Sequence, residues 1–232
     1  MLNNIYTEEN GEYLNNNLTW HVEDSFWKAK QILKMLNRNP INPKSVAEVG
    51  CGAGEILNQL YLSMPDDVSF VGYDISIDAI HLAKQREKER LEFKHENFLK
   101  INSKFDLLLM IDVFEHVDDY LGFLSLCKNK AKNTIFHIPL DISVQGVIRN
   151  NLLYSRKAVG HLHYFTKETA IATLIDSGYE IIDCFYTAGS FELQQNSLKT
   201  KIAALPRQLL YKANKDIAAK LLGGFSLLVL TK

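Results

Sequence analysis

The stretch Ala47-Glu48-Val49-Gly50-Cys51-Gly52-Ala53-Gly54-Glu55-Ile56 decides how this chain is read. From Ser45 to Val49 it is a short apolar run of the kind that forms a buried strand, and Ile56, Leu57, Leu60 and Tyr61 recur at helical spacing. Glycines at the join permit positive φ and let a ligand lie against bare main chain. The helix that follows presents its first N–H groups to the ligand. A dinucleotide-binding turn requires G-x-G-x-x-G, with glycine at position 55. Glu55 stands there instead, and its carboxylate would repel a pyrophosphate. Glu48, two residues before the first glycine, suits a ligand that carries positive charge. A tight turn without a ligand is the plain alternative.

Outward from this turn, apolar runs and helical patterns alternate. Strands are predicted at Ser45–Val49, Val68–Tyr73, Leu91–His95, Phe105–Ile111, Thr134–Pro139, Ile181–Tyr186 and Phe225–Leu230. Helical patterns separate them, among them Thr166–Ser177, closed by Gly178. This alternation predicts an α/β fold: a doubly wound, mostly parallel seven-stranded sheet with helices on both faces. Ahead of it, Asp24 and Ser25 can cap a helix whose apolar stripe is Phe26, Ala29, Ile32, Leu33 and Leu36. Asn39-Pro40 and Asn42-Pro43 end that helix. The expected organisation is an N-terminal helical extension over residues 1–44 and one α/β domain over 45–232, with an insertion at about 141–164.

Composition narrows the class. The 232 residues carry 26 basic and 27 acidic side chains, a net charge of −1, which argues against a uniformly basic nucleic-acid coat. No basic head followed by an apolar run opens the chain, and no apolar stretch approaches the ~20 residues that span a bilayer. Cys51, Cys127 and Cys184 are widely spaced and form no C-x-x-C, so neither a disulfide framework nor a zinc knuckle is expected. The expectation is a cytoplasmic protein, monomer or homodimer, with no nucleic-acid or membrane partner.

Two further elements belong to the glycine turn. Val71-Gly72-Tyr73-Asp74-Ile75-Ser76 is a strand ending in an acid that can accept two hydrogen bonds from a ribose diol, or else cap the next helix. Asp112-Val113-Phe114-Glu115-His116-Val117-Asp118-Asp119 follows the most apolar strand, at the edge where open α/β sheets bind ligands. Four acids and a histidine there need a cation or hydrogen-bond donors nearby. Asp118 or Asp119 is expected to cap the following helix.

Taken in order, Glu48-x-Gly50-x-Gly52-x-Gly54, Asp74 and Asp112-Val113-x-Glu115-His116-Val117 resemble a class I S-adenosylmethionine-dependent methyltransferase of the small-molecule type. The resemblance runs from about Ser45 to Tyr186 and includes Gly160 to Thr166. It implies the Rossmann-like methyltransferase fold, S-adenosylmethionine as cofactor and S-adenosylhomocysteine as product. Residue by residue, it implies that Gly50, Cys51, Gly52 and Gly54 line the methionine and ribose. Glu48 would face the ammonium end, Asp74 the ribose hydroxyls, and Ile75 the adenine. Asn97, followed by Phe98, stands where the family often has an aspartate for the adenine amine. Asp112 and Val113 would lie beside the cofactor, with His116 flanking the site.

Methyl transfer from a sulfonium chiefly needs alignment of nucleophile, methyl and sulfur, which can contribute about 7–11 kcal/mol. A base is required only for a weakly acidic acceptor. The candidates are His161, His163 and His116, with His137 read as a core or pocket-lining residue. His161-Leu162-His163 also invites a metal reading, with His116, His137 or Asp141 as further ligands, but no third ligand stands at a short regular spacing, and no metal is expected. The insertion carries Arg149, Arg156 and Lys157, which would suit an anionic small-molecule acceptor if they are not simply a solvated face. Near the N-terminus, Trp20 or His21 is a candidate cover for the cofactor. No Asp/Asn-Pro-Pro-aromatic sequence of a nucleic-acid amino-methyltransferase follows the fourth strand. The other readings are a cofactor-binding module without turnover and an NAD-dependent oxidoreductase.

Overall fold

The computed structural model describes residues 22–193 and 198–232. Seven strands, β1 (Ser45–Val49), β2 (Ser69–Asp74), β3 (Leu91–His95), β4 (Phe105–Ile111), β5 (Ala131–Pro139), β6 (Ile181–Thr187) and β7 (Ser226–Thr231), form one sheet. Their order is β3-β2-β1-β4-β5-β7-β6. β1 to β5 pair in parallel, and β7 runs antiparallel between β5 and β6. All seven predicted strands are present. β5 begins three residues early because Phe105 of β4 already pairs with Ala131, although Lys132 and Asn133 interrupt the apolar pattern.

The central strand shows why a continuous apolar run was the right sign. Leu107, Leu108, Leu109 and Met110 are all fully buried. Leu108 and Met110 enter the core on one face of the sheet, and Leu107 and Leu109 the core on the other. Helix α1 (Val22–Arg38) packs on the second face through Ala29, Ile32, Met35 and Leu36. Here the expectation needs correction. The buried stripe runs Ser25, Ala29, Ile32, Leu36, at offsets of 4, 3 and 4, with Met35 beside it. Phe26 lies one residue off that stripe, is 56% exposed, and packs under the Lys30 ammonium instead.

Strand order reverses between β1 and β4, which opens a crevice beyond their carboxyl ends. Helix α2 (Glu55–Ser63) leaves that crevice after β1, and α3 (Ile77–Ala83) after β2. Asp119 caps α4 (Tyr120–Cys127) by accepting from Gly122 N–H. Two short helices, α5 (Val144–Ile148) and α6 (Asn151–Ala158), occupy the predicted insertion. A capping box starts α7 (Lys167–Asp176), and α8 (Leu198–Ala213) and α9 (Lys215–Leu222) precede β7.

Candidate active site

The glycine turn is pinned to β2. Gly50 and Cys51 N–H both donate to the Tyr73 carbonyl, at 2.8 and 3.1 Å. Gly52 N–H donates to Asp74 Oδ2 at 2.9 Å, and Ser76 N–H to Asp74 Oδ1 at 2.8 Å. At Gly54, φ is +78° and a Cβ would lie 2.4 Å from the Phe93 ring. The third glycine therefore lets the turn close onto β3. Gly50, at φ +67°, has the Val113 side chain where its own Cβ would point, 2.9 Å away. Both positions exclude a side chain on steric and conformational grounds.

At this edge lies a cavity of about 530 Å³, within the range of small-molecule sites. Of the positions named from sequence, the glycine turn with Glu48, Asp74 with Ile75, Asp112 with Val113, and His116 and His161 line it. Trp27 and Lys28 of α1 also line it, as do Gly189, Gly224 and Ser226 from the far end of the chain. Trp20 and His21 lie outside the described residues.

Three predicted positions do not reach this wall. The Asn97 side chain accepts from Leu99 N–H and caps the turn Phe98–Lys100. Phe98 is buried between Tyr73 and Phe105, at ring distances of 5.4 and 6.3 Å. His163 turns away: Nε2 bonds the Val117 carbonyl at 2.9 Å and the ring packs 4.4 Å from Tyr120.

The acids around the cavity are compensated unequally. Asp112 adopts φ +54°, a left-handed conformation rare outside glycine, asparagine and aspartate. Its N–H donates to the His137 carbonyl at 3.0 Å, and its carboxylate meets His137 Nδ1 at 2.6 Å and Lys28 Nζ at 2.8 Å. Burial pushes its pKa up, but His137 and Lys28 prevail and hold it well below the usual carboxylate range. Burial disfavours the Lys28 ammonium, yet Asp112 and Asp24 raise its pKa above the ordinary lysine value. His137 continues the chain to the Thr187 hydroxyl, 2.9 Å from Nε2. Lys28 was not foreseen. Its signal was the Asp24–Lys28 spacing of four, which places both on one helix face.

Asp74 is raised by burial against the opposing hydrogen bonds from Ser76, Gly52 and Ile75. Glu48 is 1% exposed, and its Oε2 has no hydrogen-bond partner among the described residues. Burial raises its pKa well above the usual range, Lys28 opposes this and Asp74 adds to it. Glu55 departs from its expected role. Its carboxylate is ion-paired with Arg86 and takes hydrogen bonds from Gln59 and Asn58, so its charge is largely compensated within the chain.

A second cluster lies beside the first. Glu115 accepts main-chain bonds from Leu162 and His163 N–H at 2.8 and 3.1 Å, which ties the turn Phe114–His116 to the loop before α7. His116 Nδ1 bonds the Gly160 carbonyl at 3.1 Å, and His161 Nδ1 bonds Asp141 Oδ2 at 2.7 Å. The two rings stand 5.0 Å apart. Burial, and then His161, lower the His116 pKa to about 4, which keeps it neutral near pH 7. The Glu115 carboxyl is fully buried, and neither oxygen has a hydrogen-bond partner among the described residues.

A family model described as a methyltransferase domain matches residues 21–184. The chain belongs to this methyltransferase family. Two curated relatives are ubiquinone biosynthesis O-methyltransferases. That of Glaesserella parasuis serovar 5 (strain SH0165) is 29% identical over 149 residues, covering 56% of this chain and 62% of its own length. That of Rhodopseudomonas palustris (strain BisA53) is 32% identical over 111 residues, 44% of this chain and 43% of its own. The chain thus spans less than two thirds of these relatives. Among solved structures, magnesium protoporphyrin IX methyltransferase from Synechocystis PCC 6803 with bound SAH superimposes with a TM-score of 0.61 at 13% identity, covering 99% of this chain and 92% of that one. An N-methyltransferase from Bradyrhizobium japonicum WM9 with SAH gives 0.56 at 15% identity, over 99% and 95% of the two chains. The family's Rossmann-like fold is therefore the fold of this chain.

Proposed function

We propose that this methyltransferase-family chain transfers a methyl group from S-adenosylmethionine to a small-molecule acceptor. The observation that carries the reading is the pair of acids at the glycine turn: Glu48 buried with an unmet oxygen, and Asp74 held at the end of β2. An ammonium group would supply the cation that Glu48 lacks. Asp74 spends one lone pair of each oxygen on Gly52 and Ser76 and retains acceptors for a ribose diol. When bound, the sulfonium supplies an activated methyl that passes in line to an acceptor lone pair while the C–S bond returns its electrons to sulfur.

The chain's own residues position this step. Trp27 and Lys28 make α1 a cover over the cofactor cavity, in keeping with a lid role for residues 1–44. His161, oriented by Asp141, carries its Nε2 lone pair and with His116 forms the polar wall against which the acceptor docks. The insertion, residues 141–164, lies over that side. Arg149, Arg156 and Lys157 are exposed outside the cavity wall, where an anionic tail of the acceptor would meet them. The O-methyltransferase relatives favour a hydroxyl over an amine as acceptor. No helix among the described residues is long and apolar enough to cross a membrane, in keeping with a cytoplasmic enzyme.

Calorimetric titration with S-adenosylhomocysteine, repeated with NADH, tests the reading. Binding of the first and not the second is expected, and the reverse result rejects it. Binding without methyl consumption over a panel of phenol, catechol and amine acceptors would favour a binding module without turnover.

A further inference from the structure

We infer that Glu115, His116 and His161 form a divalent transition-metal site beside the cofactor cavity. One ligand atom from each lies within 4.8 Å of the other two. Two histidines and a carboxylate are a donor set for zinc and similar ions, whereas magnesium and calcium prefer oxygen alone. Bonds of ~2.1 Å place such ligands somewhat closer together than they stand here, within the reach of small side-chain rotations.

Two independent features distinguish this cluster from a chance grouping. Each imidazole has its Nδ1 committed to an acceptor, His116 to the Gly160 carbonyl and His161 to the Asp141 carboxylate. In the neutral ring the proton then sits on Nδ1 and the lone pair on Nε2, the tautomer a metal requires. Such outer partners are the usual company of a metal-bound histidine. The second feature is Glu115. Its carboxyl is completely buried with no hydrogen-bond donor among the described residues, and His116 Nε2 stands 3.9 Å from Oε1. A cation between the three side chains answers that deficit.

His116 and His161 also line the cavity, so the open positions of the ion would face the acceptor. The inference rests on the proposed methyl transfer and names its acceptor class: a hydroxyl compound, with two adjacent oxygens best able to fill two open positions. On the metal the O–H bond breaks more readily and its proton passes to water, so that His161 acts as a ligand and not as the base.

The test uses the full chain, dialysed against chelator and then equilibrated with ZnCl₂, CoCl₂ or MgCl₂. One equivalent of zinc or cobalt per chain is expected by plasma mass spectrometry, with cobalt giving visible d–d bands. Glu115→Gln and His161→Ala should each weaken zinc binding at least as much as Asp141→Asn, for which loss of an outer partner predicts about 10- to 100-fold. Circular dichroism identifies any variant that fails to fold, and Asp141→Asn then carries the comparison. Absence of zinc and cobalt binding, preference for magnesium, or zinc affinity unchanged in the folded variants overturns the metal site. If S-adenosylhomocysteine still binds the metal-free protein, that failure leaves the methyltransferase reading standing, with His161 as the base. Loss of both rejects the two together.

Discussion

Glu48→Gln should move affinity and stability in opposite directions. The carboxyl is 1% exposed, and one oxygen lacks a hydrogen-bond partner among the described residues. Its pKa is raised in the folded protein, chiefly by burial. In the unfolded chain the group ionises near pH 4.3. Above that pH the unfolded state sheds a proton that the folded state retains, so this group's contribution to stability falls as pH rises, until the raised folded pKa is passed. Glutamine cannot ionise. The stability of the variant relative to wild type should therefore grow with pH above about 4.3 and be flat below it. Affinity should fall. A hydrogen bond between charged groups contributes about 1.5–3 kcal/mol, so S-adenosylhomocysteine should bind about 10- to 150-fold more weakly. Methylthioadenosine keeps the adenosine and the sulfur but lacks the amino-acid end, and its affinity should not change. Calorimetry with both ligands, plus urea melts from pH 4 to 8, measures every part of this. Equal losses for the two ligands would place Glu48 away from the ammonium and refute the reasoning. So would a relative stability that does not vary with pH.

Asp74→Ala removes the proposed ribose acceptor and strands Gly52 and Ser76 N–H, so both ligands should lose about 10- to 150-fold by the same calorimetry. Gly54→Ala places a Cβ 2.4 Å from the Phe93 ring at a φ of +78°, and should cost about 2–4 kcal/mol in chemical denaturation. His163→Ala loses the bond to Val117 and the Tyr120 contact but no wall of the cavity. A destabilisation of about 1 kcal/mol with unchanged S-adenosylhomocysteine affinity is expected, and a weakened affinity would return His163 to the site.

The parts of this structure that could be read from sequence are those fixed by local periodicity and backbone geometry. β4 announces itself because a strand covered on both faces is apolar throughout, and the glycine turn because two of its positions leave no room for a Cβ. The histidines show where such reading stops. Two residues apart, His161 and His163 looked like one pair. The extended segment sends them to opposite sides, one to Asp141 and the cavity, the other to Val117 and Tyr120. Of its possible companions, Asp141 and His116 do meet His161; His116 comes from 45 residues earlier and brings Glu115 with it, joined through hydrogen bonds of the Glu115 main chain that no spacing rule encodes. Phe26 fails for a similar reason. A helix stripe one residue wider than the sheet can accept leaves its edge member in solvent, and hydrophobicity alone does not say which edge. Asn97 was placed by alignment with a motif, but its side chain is occupied in starting a helical turn.

The charges of the missing ligands follow from comparing the acids with one another. Glu48, Asp74 and Glu115 are buried in this part of the fold and Asp112 is half-buried, so burial alone does not say what each of them needs. Their partners do. Asp112 is met by Lys28 and His137, and its pKa is depressed despite burial. Asp74 is raised by burial too, but main-chain N–H groups, those of Gly52 and Ser76 among them, meet both of its oxygens. Neither needs anything more from outside the chain. Glu48 and Glu115 have oxygens that no described residue meets, and burial raises their pKa values. An ionised carboxylate without a partner in such a place costs several kcal/mol, so each must stay protonated or acquire a cation. Lys28 cannot serve both, since it is already held between Asp24 and Asp112. The two deficits lie at different places, Glu48 on the cavity wall and Glu115 next to the wall residues His116 and His161, and call for two distinct cations. The one at the glycine turn sits where an organic ammonium can be followed by a ribose at Asp74. The one at Glu115 has two imidazole nitrogens as its other neighbours, a set that an ammonium group does not need and a metal ion does.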